Sequence, residues 1–267
     1  MPETGGTLTA PSAPGLGLVL SSGAARGAAH VGVLLALTEL GIQPHVVVGT
    51  SAGALIGGAW AAGMAADRIA DRVLAATWAD FGRLRPARGG LALIESTALR
   101  ANLEALFAGR RLEDLPVRFG AVATDLRSRR AILLDTGDAA AAVQASLAVP
   151  GVFPPVRCGG RILVDGVLTS PLPVWAAHAL GATRTVAVRL RPEAPAGRGA
   201  NFLRTVLPAA DEVAADIDIV VDTAGHASWS PRDVPRLVEL GYDATCDALG
   251  HRVGWLAEVR GGVRAAS

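Results

Sequence analysis

Short runs of β-branched and aliphatic residues alternate along the chain with longer stretches of helical period. That is the pattern of a mostly parallel sheet covered on both faces. Residues 16–20 form a continuous apolar run and predict a buried strand, followed by a small-residue loop over 21–25. Residues 26–40 predict a helix, with Val31, Leu34 and Leu35 at helical spacing and Gly41 where the helix should end. Val46, Val47 and Val48 predict a second strand, and 51–62 a second helix. Helices are expected over 65–78 and 96–107, strands over 117–124 and 131–135, and a short helix through Leu147 capped by Asp138. A strand at 161–164, a helix at 173–180, strands at 185–190 and 217–221, and a helix at 234–249 complete the series, with a Pro/Gly loop at 191–199. No internal repeat or boundary divides it. Residues 1–14 read as a flexible tail and 15–260 as a single domain.

The stretch from Gly41 to Ala66 carries no charge and would register as a membrane span by hydropathy alone. It is broken by Gly49, Thr50, Ser51, Gly53, Gly57, Gly58 and Gly63, so a buried strand, a sharp turn and a buried helix describe it better. The 267 residues are 51% hydrophobic, enough for a large core, and the formal net charge of +1 argues against a nucleic-acid partner. All 25 basic residues are arginine, which excludes lysine Schiff-base and lysine phosphate-loop chemistry. Cys158 and Cys246 form neither a metal-ligand spacing nor a disulfide framework, and fit a reducing, cytoplasmic setting.

Against this background Gly49-Thr50-Ser51-Ala52-Gly53 stands out, a G-x-S-x-G between a β-branched run and a helical run. A serine on a tight strand-to-helix turn exposes its hydroxyl above the sheet, beside the unpaired N–H groups of the helix start. Gly49 and Gly53 keep side chains out of that turn, so Ser51 is the expected nucleophile. Ser22-Gly23-Ala24-Ala25-Arg26-Gly27 follows the first strand, matches neither a dinucleotide nor a Walker pattern, and can present amides to an anion. Asp165-Gly166 follows another strand, expected to be parallel, at the sheet end where α/β sites form.

These segments resemble the patatin-like phospholipases, in particular their compact bacterial branch. The likeness extends through His30, Gly32, Val33 and Leu34, through Ser146-Leu147-Ala148-Val149-Pro150-Gly151-Val152-Phe153-Pro154-Pro155, and through Pro171-Leu172-Pro173. It implies a three-layer α/β/α fold and a serine lipid acyl hydrolase with a Ser51–Asp165 dyad. It also implies an oxyanion hole in the Ser22, Gly23, Ala24 loop, with Arg26, Gly27, Gly49, Gly53 and Gly166 in support. The implied substrate is a lipid acyl ester, with transient contact at a membrane surface and no metal or other cofactor. The chain departs from the family pattern at Ser22 and Ala24, where glycines are usual, and at Val167, where glycine or alanine is usual. If Ala24 takes a positive φ, about 1 kcal/mol of strain follows.

Three other readings stand beside the dyad. His178, His226 and His251 all follow Asp165, giving the chain order of an ordinary Ser–Asp–His triad, with His226 the favoured member. The second reading is a non-catalytic lipid-binding module on the same fold, and the third an acyltransferase. His30, His45 and Asp125 are expected to be structural, and Arg26 to be scaffolding at a helix start rather than a salt-bridge or lipid-phosphate contact. The Arg127, Arg129, Arg130 cluster is expected to be a solvated face, with contact to anionic lipid headgroups as its alternative. A mobile lid is expected within residues 67–112, around the loop at 81–90.

Overall fold

The computed structural model describes residues 15–84, 94–191, 213–226, 230–250 and 252. The tail at 1–14, most of the loop expected at 81–90, nearly all of the loop at 191–199, and His251 lie outside the described residues. Strands β1 (Leu16–Leu20), β2 (Val46–Thr50), β5 (Arg118–Asp125), β9 (Arg184–Arg191) and β10 (Ile217–Asp222) run parallel in the order β10-β9-β1-β2-β5. Three antiparallel strands extend the sheet: β6 (Arg130–Leu134) pairs with β5, β8 (Arg161–Asp165) also pairs with β5, and β7 (Val156–Cys158) pairs with β8. A two-stranded ribbon, β3 (Arg83–Leu84) with β4 (Ile94–Glu95), stands apart from it.

The strand that ends in Asp165 is therefore antiparallel, not parallel as its sequence suggested. β7, which no sequence pattern announced, turns back into it through Gly159 and Gly160, both at positive φ. A three-residue strand offers too few positions for alternation to show. The two short strands of the ribbon, β3 and β4, and the four-residue helix Trp78–Phe81 were likewise not expected, since a loop was read there. The other strands and helices fall within a few residues of expectation.

Alternation along β1 assigns the two faces. Leu16, Leu18 and Leu20 pack under α1 (Ala29–Glu39), α2 (Ala52–Ala61), α3 (Ala66–Ala75), α5 (Thr97–Phe107), α6 (Ala139–Ser146) and α8 (Val234–Gly250). Val19, with Val46, Val48 and Val122, packs on the opposite face under α7 (Val174–Ala179). The result is an α/β/α arrangement with one thick and one thin helical layer. Helix α1 is buried on nearly every side because it packs against α8, α3 and α2, which erases the one-sided stripe expected of a surface helix. Its start is also later than expected: Ala24–Ala28 form a 3-10 turn before the α-helix begins. The uncharged stretch at 41–66 divides into β2, a turn and α2, and no described helix is long and apolar enough to cross a membrane.

Candidate active site

The site is set by the register of β5. Its residues Arg118 to Val122 pair with β2, ending at Thr50 opposite Val122. Ala123 to Asp125 pair with β8, which arrives from the other direction and ends with Asp165 opposite Ala123. Both Val122 and Ala123 pair with β6 on their other side, so β2 and β8 occupy the same flank and meet end to end. Ser51 follows β2 at that junction, and its hydroxyl donates to Asp165 Oδ2 at 2.6 Å, in the buried interior.

Ser51 has φ 57° and ψ −122°, a strained conformation for a residue with a side chain. The glycines of the turn are there for space. A Cβ on Gly49 would lie 2.4 Å from the backbone of Gly53, and one on Gly53 would lie 2.3 Å from the Leu20 carbonyl oxygen. The Ser51 N–H donates to Ser146 Oγ at 2.8 Å, and that hydroxyl donates to the Val122 carbonyl at 2.7 Å. Ser146, at the end of α6, thus ties the turn to β5. Sequence reading gave it no role: a serine in an alanine-rich helix carries no local signal, and its partner lies 95 residues away.

Asp165 is fixed on its other oxygen and through its backbone. Oδ1 accepts the Val167 N–H at 2.8 Å, its backbone N–H donates to Ala148 O at 2.9 Å, and its carbonyl accepts the Thr124 hydroxyl at 2.9 Å. Complete burial drives its pKa up to about 7, against smaller lowering by the Ser51 and Val167 hydrogen bonds. A carboxyl held there is a competent base near neutrality.

The loop after β1 lies beside the serine. Ala24, Ala25 and Gly27 line the same cavity as Ser51 and Ala52. Ala24 has φ +50°, the conformation the family's glycine would adopt without strain. Ser22, expected among the amide donors, has its N–H bonded to the Pro171 carbonyl at 2.9 Å and has no proton to offer. The N–H groups of Gly23 and Ala24 precede the first bond of the 3-10 turn and take no partner among the described residues. Arg26 is half-buried, which lowers its pKa, and its Nε has no hydrogen-bond partner among the described residues.

Among the described residues, no histidine bonds to Ser51 or Asp165. His178 pairs through Nδ1 with the Ala182 carbonyl, His226 lies 3.7 Å from Asp233, and His45 accepts the Leu16 N–H. Buried His30 donates through Nε2 to the Ser21 carbonyl, and burial lowers its pKa to about 4, so it is a neutral structural group with Nδ1 unpartnered. Asp125 is structural as well: it accepts from Arg127 N–H and Ser128 Oγ and pairs with Arg161.

The cavity at Ser51 is small, about 130 Å³, and apolar, and is lined on another side by Leu147, Val149 and Phe153. Ile56, Val73, Ala76 and Phe81 line it and also line a second cavity of about 440 Å³ between α2, α3 and α5, beside the short helix α4 (Trp78–Phe81). The first is below the roughly 300–1,000 Å³ usual for a ligand pocket, and the two together are not.

An α/β/α sheet whose serine sits on a strand-to-helix elbow facing a buried carboxylate defines a class, and sequence comparison gives the family. Residues 18–178 match the patatin-like phospholipases, and the chain belongs to that family. An uncharacterised NTE family protein of Mycobacterium tuberculosis is 36% identical over 180 residues, 67% of this chain and 50% of that one. The patatin-like phospholipase domain-containing protein 7 of Rattus norvegicus is 31% identical over 182 residues, 65% of this chain and 13% of that one. The chain therefore spans half the length, or less, of these relatives. Among solved structures, VipD from Legionella pneumophila shares the fold, with a TM-score of 0.63 at 16% identity over 89% of this chain and 67% of that one.

Proposed function

We propose that this protein is a serine lipid acyl hydrolase in which Ser51 is the nucleophile and Asp165 its base. The observation that carries this reading is the direct, buried Ser51-to-Asp165 hydrogen bond of 2.6 Å. A serine hydroxyl needs its proton removed as it attacks, and among the described residues the side chain bonded to it is a carboxylate whose pKa stands near 7. As Oγ adds to the ester carbonyl, Asp165 takes the proton. The Gly23 and Ala24 amides face the developing oxyanion. Asp165 returns the proton to the departing alcohol, then activates the water that releases the fatty acid from Ser51. The Ser146 bond holds the strained elbow with Ser51 at the cavity, whose apolar walls suit an acyl chain. The free thiols of Cys158 and Cys246 agree with a cytoplasmic setting.

A fluorophosphonate probe should label Ser51 in the folded protein and fail to label Ser51→Ala. A panel of lysophospholipids, diacyl phospholipids and simple esters should show Ser51-dependent release of fatty acid. Folded protein that neither takes the label nor turns over any ester would instead be a lipid-binding module. Labelling together with acyl products other than free acid would mark an acyltransferase.

A further inference from the structure

The edge of the sheet where Ser51 sits carries a second feature that the chemistry does not use. Beyond Asp125 the chain turns through residues 126–129 into β6, and the Gly159-Gly160 turn of the β7–β8 hairpin lies beside it, joined by the Leu126 N–H to Ile162 carbonyl bond of 2.9 Å. This corner brings together exposed Arg127, Arg129, Arg130, Arg157 and Arg161. Against those five cations stands one carboxylate among the residues of the corner, Asp125, which is buried and already paired with Arg161. The other four arginines make no ion pair among the described residues. Beside them stand two large aliphatic side chains open to solvent, Leu126 next to Arg127 at 43% exposure and Ile162 paired with Arg157 at 37%. The whole chain carries only +1, so this charge is a local concentration.

We propose that this corner is a docking surface for an anionic lipid bilayer. Exposed aliphatics with arginines beside them suit a surface offering negative headgroups with hydrocarbon immediately beneath; a soluble polyanion gives the aliphatics nothing to enter. The position fits. β1, β2 and β5 are parallel, so their C-terminal ends share one edge, and the corner stands about three residues of β5 beyond the Ser51–Asp165 junction, roughly 10 Å. Phe153, which lines the Ser51 cavity, is three residues ahead of β7. A protein seated by this corner holds its cavity at headgroup level. The docking does not depend on Ser51 being catalytic.

The test is cosedimentation of full-length Ser51→Ala protein with vesicles of phosphatidylcholine alone, or of phosphatidylcholine mixed with phosphatidylglycerol. Binding is expected on the mixed vesicles and should weaken as salt is raised. Combining Arg127→Glu, Arg129→Glu and Arg157→Glu should reduce it at least about 100-fold, each cation contributing about fivefold near an anionic surface. Arg161 is left in place because removing it would strand buried Asp125. With Ser51 restored, the same triple variant should keep its melting temperature and its turnover of a soluble short-chain ester. Leu126→Ser with Ile162→Ser should weaken vesicle binding but not binding to heparin. Equal affinity for neutral vesicles, undiminished binding by the triple variant, or indifference to the two serines would each overturn the proposal. Because binding is read on protein without its serine, absence of hydrolase activity would leave the result standing.

Discussion

Thr50 and Asp165 abut on one flank of β5, opposite Val122 and Ala123, so two strands running in opposite directions end at the same point. That junction, and not proximity in the chain, brings Ser51 to a carboxylate 114 residues downstream. Gly166 makes the approach possible: a Cβ there would lie 2.3 Å from the Val122 carbonyl oxygen and 3.0 Å from Thr50 Cγ2. Gly166→Ala should push β8 off the end of β2, costing about 1–3 kcal/mol of stability and about 100-fold in kcat. Denaturant melts and single-turnover ester hydrolysis would show it; an unchanged kcat would mean the junction tolerates movement.

Titration of Asp165 ties activity and stability to pH with opposite signs. Burial raises its pKa from 3.8 to about 7, so the folded protein holds this proton more tightly than the unfolded chain does. The stability it contributes is complete below about pH 4, declines as pH rises toward 7, and levels off above, a change of up to about 4 kcal/mol. In the proposed mechanism attack requires the carboxylate, so kcat/KM should climb through pH 7. Asp165→Asn should be inactive yet gain in melting temperature over the wild type as pH rises from 4 to 7. An activity limb centred near 4, or a variant with no such gain, would contradict this.

The elbow and the loop were legible in the sequence because each is local: glycines at fixed offsets from a serine, directly after an apolar run. Asp165 could be named from resemblance, but its strand direction could not, since a five-residue strand reads the same in either sense. The Ser22 N–H failed as a donor for a related reason. Its acceptor, Pro171, comes from a distant loop, and no pattern around residue 22 records it. Burial of Asp165 by its apolar neighbours was foreseeable in direction, while its extent depended on the sheet closing over it.

Ser146 is the test of that non-local kind of dependence. Ser146→Ala would remove the acceptor of the buried Ser51 N–H and the donor to Val122. Leaving such a group unpaired costs about 1–3 kcal/mol. A loosened elbow should also lower kcat ten- to a hundredfold with little change in KM. Ser146→Thr should restore part of both where the extra methyl fits. Loss of stability with full kcat would reduce Ser146 to a packing role.

Adjacent alanines in the amide loop should respond to glycine with opposite signs. Ala24 has φ +50°, so Ala24→Gly removes strain of about 1–2 kcal/mol and loses part of that to unfolded-chain entropy. Ala25, in the same 3-10 turn without positive φ, gains nothing, and Ala25→Gly should cost about 0.5–1 kcal/mol. Thermal melts of the two variants would compare them directly. A destabilised Ala24→Gly would show that the native loop does not hold that residue left-handed.

The size of the cavity at Ser51 makes chain length a question about α3. About 130 Å³ cannot hold a long acyl chain, and the four residues that also line the larger cavity mark the route a longer chain would take into it. Of these, Val73, Ala76 and Phe81 are half-buried, and Val73, within α3 and away from the strands, can accept bulk without disrupting the sheet. Val73→Trp should close the passage and lower kcat/KM for long-chain esters about tenfold or more relative to short-chain ones, since a single methylene in an apolar pocket already discriminates about tenfold. Short-chain turnover should be nearly unchanged, because nothing at Ser51, Asp165 or the amide loop moves. If long- and short-chain substrates lose activity in parallel, the distal chain does not run between α2 and α3 and must leave the cavity by another route.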